Sequence, residues 1–72
     1  MKYIIQPSEK PNHWVCTDVK NGIVCVFENR KYNETQNVST LDYFPPAKFM
    51  QLAQLMGEMA DWLCDNHYDK CL

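Results

Sequence analysis

Three residues near the C-terminal end of the sequence, Cys64, His67 and Cys71, stand in a C-x2-H-x3-C pattern. Thiolate and imidazole are ligands that Zn²⁺ prefers, and a closed tetrahedral site takes four. Cys16, Cys25 or His13 could supply the fourth ligand, and Cys25 completes the candidate set Cys64, His67, Cys71 and Cys25. Spacing works against such a site. In an unbroken helix Cys64 and Cys71 stand about 10 Å apart, too far to share one ion. The site therefore demands that the helix break near Asn66, a residue type tolerated at helix ends. The plainer reading makes Cys25 and Cys64 small core residues, a common role for free cysteine. No cofactor is implied, with zinc as the alternative.

Other cysteine chemistry has less support. A nucleophilic cysteine needs a nearby base and an electropositive setting to lower its pKa. His13 with the hairpin cysteines, or His67 with Cys64, forms no recognisable catalytic signature. Paired carboxylates, a phosphate-binding glycine loop and a nucleophile elbow are all missing from the sequence. A chain of 72 residues also has little material for a deep pocket. The expectation is a protein that is not an enzyme, with no catalytic residues. The apolar stretch Tyr3-Ile4-Ile5 before Pro7 is too short for a signal peptide, which points to the cytoplasm. There, reduced thiols are the default for all four cysteines. A Cys16–Cys25 disulfide, open to one hairpin register, is disfavoured on the same ground. The sequons Asn33-Glu34-Thr35 and Asn37-Val38-Ser39 would matter only in a secretory compartment.

Charge and hydropathy narrow the partners. The formal net charge is −2, so no basic excess exists to release counterions from a phosphate backbone, and nucleic-acid binding is disfavoured. The longest apolar runs, such as Ile23 to Phe27, fall far short of the roughly 18 residues a spanning helix needs, so no membrane association is expected. Composition is that of a globular protein, 46% hydrophobic and 22% charged.

The elements that must position these residues follow from periodicity. Residues 2–6 are β-prone and stop at Pro7, giving a first strand. Residues 13–19 and 23–29 are β-branched runs around Lys20-Asn21-Gly22, giving a hairpin whose reversal uses glycine's freedom at positive φ. A two-residue loop pairs Lys20 with Ile23 and puts Trp14, Cys16, Asp18, Lys20, Ile23, Cys25 and Phe27 on one face, burying two charges. A three-residue loop pairs Val19 with Ile23 and gives the uncharged face Val15, Thr17, Val19, Ile23, Cys25 and Phe27. The second register is preferred because it offers an uncharged core face. Residues 32–40 form a polar edge strand, although Asn33-x-x-Gln36 also resembles a capping box.

Residues 46–66 read as one amphipathic helix. Pro46 suits the first helical position, and Phe44 is placed to staple onto Phe49. Gln51, Gln54, Glu58, Asp61 and Asp65 form the polar stripe; Phe49, Leu52, Met56, Met59 and Leu63 lie opposite. Gly57 costs about 1 kcal/mol in a helix interior relative to alanine, which suggests close approach of another backbone. The fold class is α+β: a three- to four-stranded antiparallel meander packed on one C-terminal amphipathic helix. The expected core is Ile4, Val15, Val19, Ile23, Cys25, Phe27, Phe49, Leu52, Met56, Met59, Ala60 and Leu63.

One helix covers only one side of a sheet. In the preferred register the outer side carries Trp14, Cys16, Asp18, Val24, Val26 and Glu28, an apolar surface a monomer usually avoids. Either Tyr43, Phe44 and the tail Tyr68 to Leu72 fold over it, or a second chain does. The expected function is a small non-enzymatic interaction domain. It forms a homodimer, or binds another protein, through Trp14, Val24 and Val26, or through the helix flank at Gly57 and Trp62. Two alternatives are the zinc domain above and an acidic regulator. The regulator would use Glu58, Asp61, Asp65 and Asp69 to occupy a basic partner surface.

Overall fold

The two β-branched runs flanking Gly22 form the central hairpin of a four-stranded antiparallel sheet. A computed structural model of the chain describes residues 3–40 and 46–71. The strands are β1 (Tyr3–Pro7), β2 (His13–Asp18), β3 (Ile23–Glu28) and β4 (Asn37–Thr40), in the order β1-β2-β3-β4. A single helical turn, α1 (Tyr32–Thr35), connects β3 to β4. A 3-10 segment (Pro46–Gln51) leads into α2 (Leu52–Asn66), and a short 3-10 turn (Tyr68–Lys70) follows. The meander packed on one C-terminal helix is therefore the fold. The suggested Phe44–Phe49 staple and the covering role of Tyr43 and Phe44 lie outside the described residues.

The hairpin register differs from both sequence-based options. Asp18 stands opposite Ile23, Cys16 opposite Cys25 and Trp14 opposite Phe27, leaving a four-residue loop, Val19 to Gly22. The preferred pairing of Val19 with Ile23 is wrong: Trp14, Cys16 and Asp18 of β2, which it turned outward, face the core, whereas Val24, Val26 and Glu28 of β3 lie outward as expected. The reason lies in Asp18. Its side chain is fully buried, yet one carboxylate oxygen accepts the Asn21 backbone N–H at 3.1 Å and the other accepts the Asn21 side-chain amide at 2.8 Å. Its carbonyl accepts the Gly22 N–H at 2.8 Å, with Gly22 at φ 71°. A buried charge is costly chiefly when its hydrogen-bonding capacity is unmet. Here the turn supplies the donors, so counting Asp18 as a penalty selects the wrong face.

Pairing then assigns every side chain. Tyr3 lies opposite Asp18 and Ile5 opposite Cys16, so both point inward while Ile4 points out and is 46% exposed. Val19 sits in the loop and is exposed, and Val15 lies on the outer face, partly buried. On α2, Leu55, Met56, Met59 and Leu63 are buried, with Leu52, Ala60 and Trp62 packed against them. Phe49 is exposed because it falls in the 3-10 segment. At 3.0 residues per turn that segment does not carry the 3.6-residue stripe backward. The core is Tyr3, Cys16, Ile23, Cys25, Phe27, Tyr32, Leu55, Met56, Met59 and Leu63.

Residues 32–40 are not one strand. Tyr32, Asn33, Glu34 and Thr35 turn helically first, and this turn brings Tyr32 into the core. Its ring meets Phe27 edge-on at 5.1 Å, and its hydroxyl donates to the Met56 carbonyl at 3.1 Å, tying sheet to helix. Thr35 Oγ1 accepts the Glu28 N–H at 2.8 Å and donates to the Lys31 carbonyl at 2.7 Å, closing the turn against the end of β3.

Because Asn21 satisfies Asp18 inside the fold, Asp18→Ala should lower stability by about 1–3 kcal/mol in urea titration. The exposed Lys20→Ala control should stay within about 0.5 kcal/mol. Equal small effects would mean that the turn does not depend on this carboxylate.

Candidate functional site

The buried face of the hairpin carries the most chemically distinctive group of side chains. Cys16 and Cys25 face each other across β2 and β3, both free thiols and both fully buried. Burial pushes the Cys16 thiol up to about 12, with Cys25 and then Asp18 adding to the shift. Burial likewise raises Cys25 to about 11, against the opposing influence of the Tyr32 hydroxyl and the Asn37 backbone. Burial also raises the Tyr32 phenol, with Cys25 next in effect. Thiols held protonated and away from solvent are poor nucleophiles and poor metal ligands. This cluster is packing.

The C-terminal cysteines are brought together differently from the zinc reading. α2 does end at Asn66, and the break brings the Cα atoms of Cys64 and Cys71 to 5.2 Å, where the two sulfurs form a disulfide. Reduced thiols, the expectation for all four cysteines, therefore hold only for Cys16 and Cys25. With Cys64 bonded to Cys71 and Cys25 under the sheet, the candidate ligand set is not assembled. His67 instead lies against Trp62, ring centres 5.1 Å apart. Among the described residues no group of three or more His, Cys, Asp or Glu is placed to hold a metal ion. The 64–71 disulfide escapes sequence reading because a helix continuing past Asn66 would keep the pair apart.

The residues singled out as an interface scatter. Trp14 is on the inner face, not the outer one: its indole N–H donates to Asn29 Oδ1 at 2.9 Å, and Lys70 Nζ sits 4.6 Å from the ring centre. The chain's own tail thus covers it. Trp62 packs on Tyr3 at 5.0 Å between ring centres. Gly57 is exposed, and a methyl group added there would meet no described atom within 4 Å, so no described backbone of this chain approaches it closely. It borders an apolar groove of about 480 Å³ between α2 and the α1–β4 segment, floored by Tyr32, Val38, Leu52 and Met56. Val24 and Val26 do lie on the outer face. They pair with Thr17 and Val15, and Ile4 extends the row through its pairing with Thr17. None of these five belongs to the buried cluster.

Glu58, Asp61, Asp65 and Asp69 are all exposed, and Asp69 pairs with Lys70 at 3.3 Å. Among the described residues no helix is long and apolar enough to cross a membrane. Comparison with known protein families, curated proteins and solved structures finds no match to this chain.

The raised thiol and phenol groups set a pH dependence with a definite sign. Their folded values lie above the ordinary 9.0 of a thiol and 10.0 of a tyrosine, so their contribution to stability is intact below about pH 9. It is lost as pH rises toward 11–12, because the unfolded chain ionises and the folded one resists. Thermal melts should show the midpoint falling across that window. At neutral pH, Cys16 and Cys25 should resist a thiol reagent until denaturant is added, and fast labelling of the native protein would contradict the burial.

Proposed function

We propose that this chain is a small non-enzymatic interaction domain that pairs with a second copy of itself through the outer face of its sheet. The observation that carries this reading is the row Ile4, Val15, Thr17, Val24 and Val26. These β-branched side chains share one face, remain outside the core, and are flanked by Gln6, His13, Glu28, Asn37 and Ser39. An apolar centre with a polar rim is the usual organisation of a protein interface.

The chemistry of the face favours a like surface as its occupant. It carries one Glu and one His, paired opposite each other at one end, so it offers little charge to a strongly acidic or basic partner. Two flat β-branched faces can stack as a sandwich, with layers about 10 Å apart and strands about 30° from alignment. Size limits the strength of this contact. Four strands of four to six residues cover roughly 300 Å² in plan per copy, below the about 800 Å² per partner of a standard interface. Association in the micromolar range or weaker follows. Trp14 and Trp62 take no part in the pairing, because both are engaged within the chain.

Sedimentation velocity from about 10 μM to about 1 mM should show a dimer fraction that grows with concentration. Val24→Lys should abolish it while leaving the circular dichroism spectrum unchanged. Thr17→Lys, at a site already tolerant of a hydroxyl, provides a second check. A wild-type chain that stays monomeric throughout the range refutes the proposal.

A further inference from the structure

We infer that the Cys64–Cys71 disulfide is a redox latch that holds the C-terminal turn over Trp14, so that reduction frees the turn and uncovers this end of the sheet. Such a latch is independent of pairing through the outer face, because it lies on the opposite side of β2.

The turn is held by weak contacts. After α2 ends, Tyr68–Lys70 folds as one 3-10 turn, closed by Lys70 N–H to the His67 carbonyl at 2.8 Å and Cys71 N–H to the Tyr68 carbonyl at 3.2 Å. Among the described residues two polar contacts tie it to the sheet side: the Arg30 N–H donates to the Lys70 carbonyl at 3.2 Å, and the Lys70 ammonium lies over Trp14 at 4.6 Å. Each is individually weak in water. The covalent bond is what keeps them at high effective concentration, by closing a loop from Cys64 to Cys71.

Opening the loop leaves the main core untouched. Cys71 is buried but does not belong to the cluster that joins sheet to helix, whereas Leu55, Met56, Met59 and Leu63 hold α2 without it. What the turn does cover is the Trp14 end of the sheet. A recess of about 490 Å³ there is lined by Pro7, Pro11, His13, Trp14 and Asn29, with Asp69 of the turn as one wall. Removing that wall exposes the indole.

The bond is open to attack from one side. Cys64 is exposed and Cys71 buried, so an incoming thiolate reaches the Cys64 sulfur. A dithiol reductant attacks there, forming a mixed disulfide and expelling the Cys71 thiolate, which takes up a proton. The second thiol of the reductant then attacks the mixed disulfide, closing its own disulfide and releasing Cys64 as a thiol. Two electrons and two protons pass to the Cys64–Cys71 pair. Cys16 and Cys25, buried and protonated, take no part. A reducing cytoplasm would open the latch and an oxidising setting would close it.

Amide hydrogen exchange on the oxidised protein, on the same protein treated with dithiothreitol, and on Cys64→Ser tests this. Reduction should speed exchange at the Arg30 amide at least tenfold and shift Trp14 emission to the red in a Trp62→Phe background, with β2 and β3 amides still protected. Cys64→Ser should match the reduced protein without reductant. Unchanged Arg30 protection after reduction would show that the turn holds without the bond. Loss of protection throughout β2 and β3 would show that the bond is a global staple. Either result overturns the latch.

Discussion

The carboxylate of Asp18, held by the backbone and side chain of Asn21, is the contact on which the arrangement of this sheet depends. Side chains alternate across a strand, so a slip of one residue in the hairpin would exchange the two faces of β2 relative to β3. With Asp18 opposite Ile23, the residues that meet the helix are Trp14, Cys16, Ile23, Cys25 and Phe27. The valines fall on the other side. A buried charge thus acts as a register mark, tolerated because the four-residue turn after it supplies the donors it needs.

From that assignment the rest of the molecule follows as a division of labour between two faces. The inner face is closed by α2 and stitched through Tyr32, whose hydroxyl reaches the Met56 carbonyl, and through Tyr3, whose ring meets Trp62. Its cysteines serve as small apolar side chains, and burial keeps their thiols protonated. The end of the sheet near Trp14 is closed by the C-terminal turn and its disulfide. The outer face has no such cover from the buried helical side chains, and its β-branched row is the surface from which self-association is proposed.

Much of the fold is legible in the sequence because it rests on periodicity. Gly22 between β-branched runs marks the hairpin, and the three-and-four spacing of Met56, Met59 and Leu63 marks the buried side of α2. What escapes is local chemistry that modifies the period. Asp18 looks like a reason to turn its face outward, because a sequence shows the charge but not the donors around it. Phe49 fits the apolar stripe, yet the 3-10 segment takes it out of phase. Tyr32 reads as part of a strand, although a single helical turn carries it inward. Of the candidate interface, Val24 and Val26 belong to the open face as expected. Trp14 does not, since the same slip in register that hides Asp18's role also moves the indole across the sheet.

The strand pairing itself is tested most directly by cross-strand nuclear Overhauser effects on the oxidised protein. The expected contacts link Cys16 with Cys25 and Trp14 with Phe27, and run from Cys16 and Phe27 to the buried methionines of α2. Contacts linking Thr17 with Cys25 and Val15 with Phe27 instead would place Val15 and Thr17 under the helix, turn Trp14, Cys16 and Asp18 outward, and contradict this register.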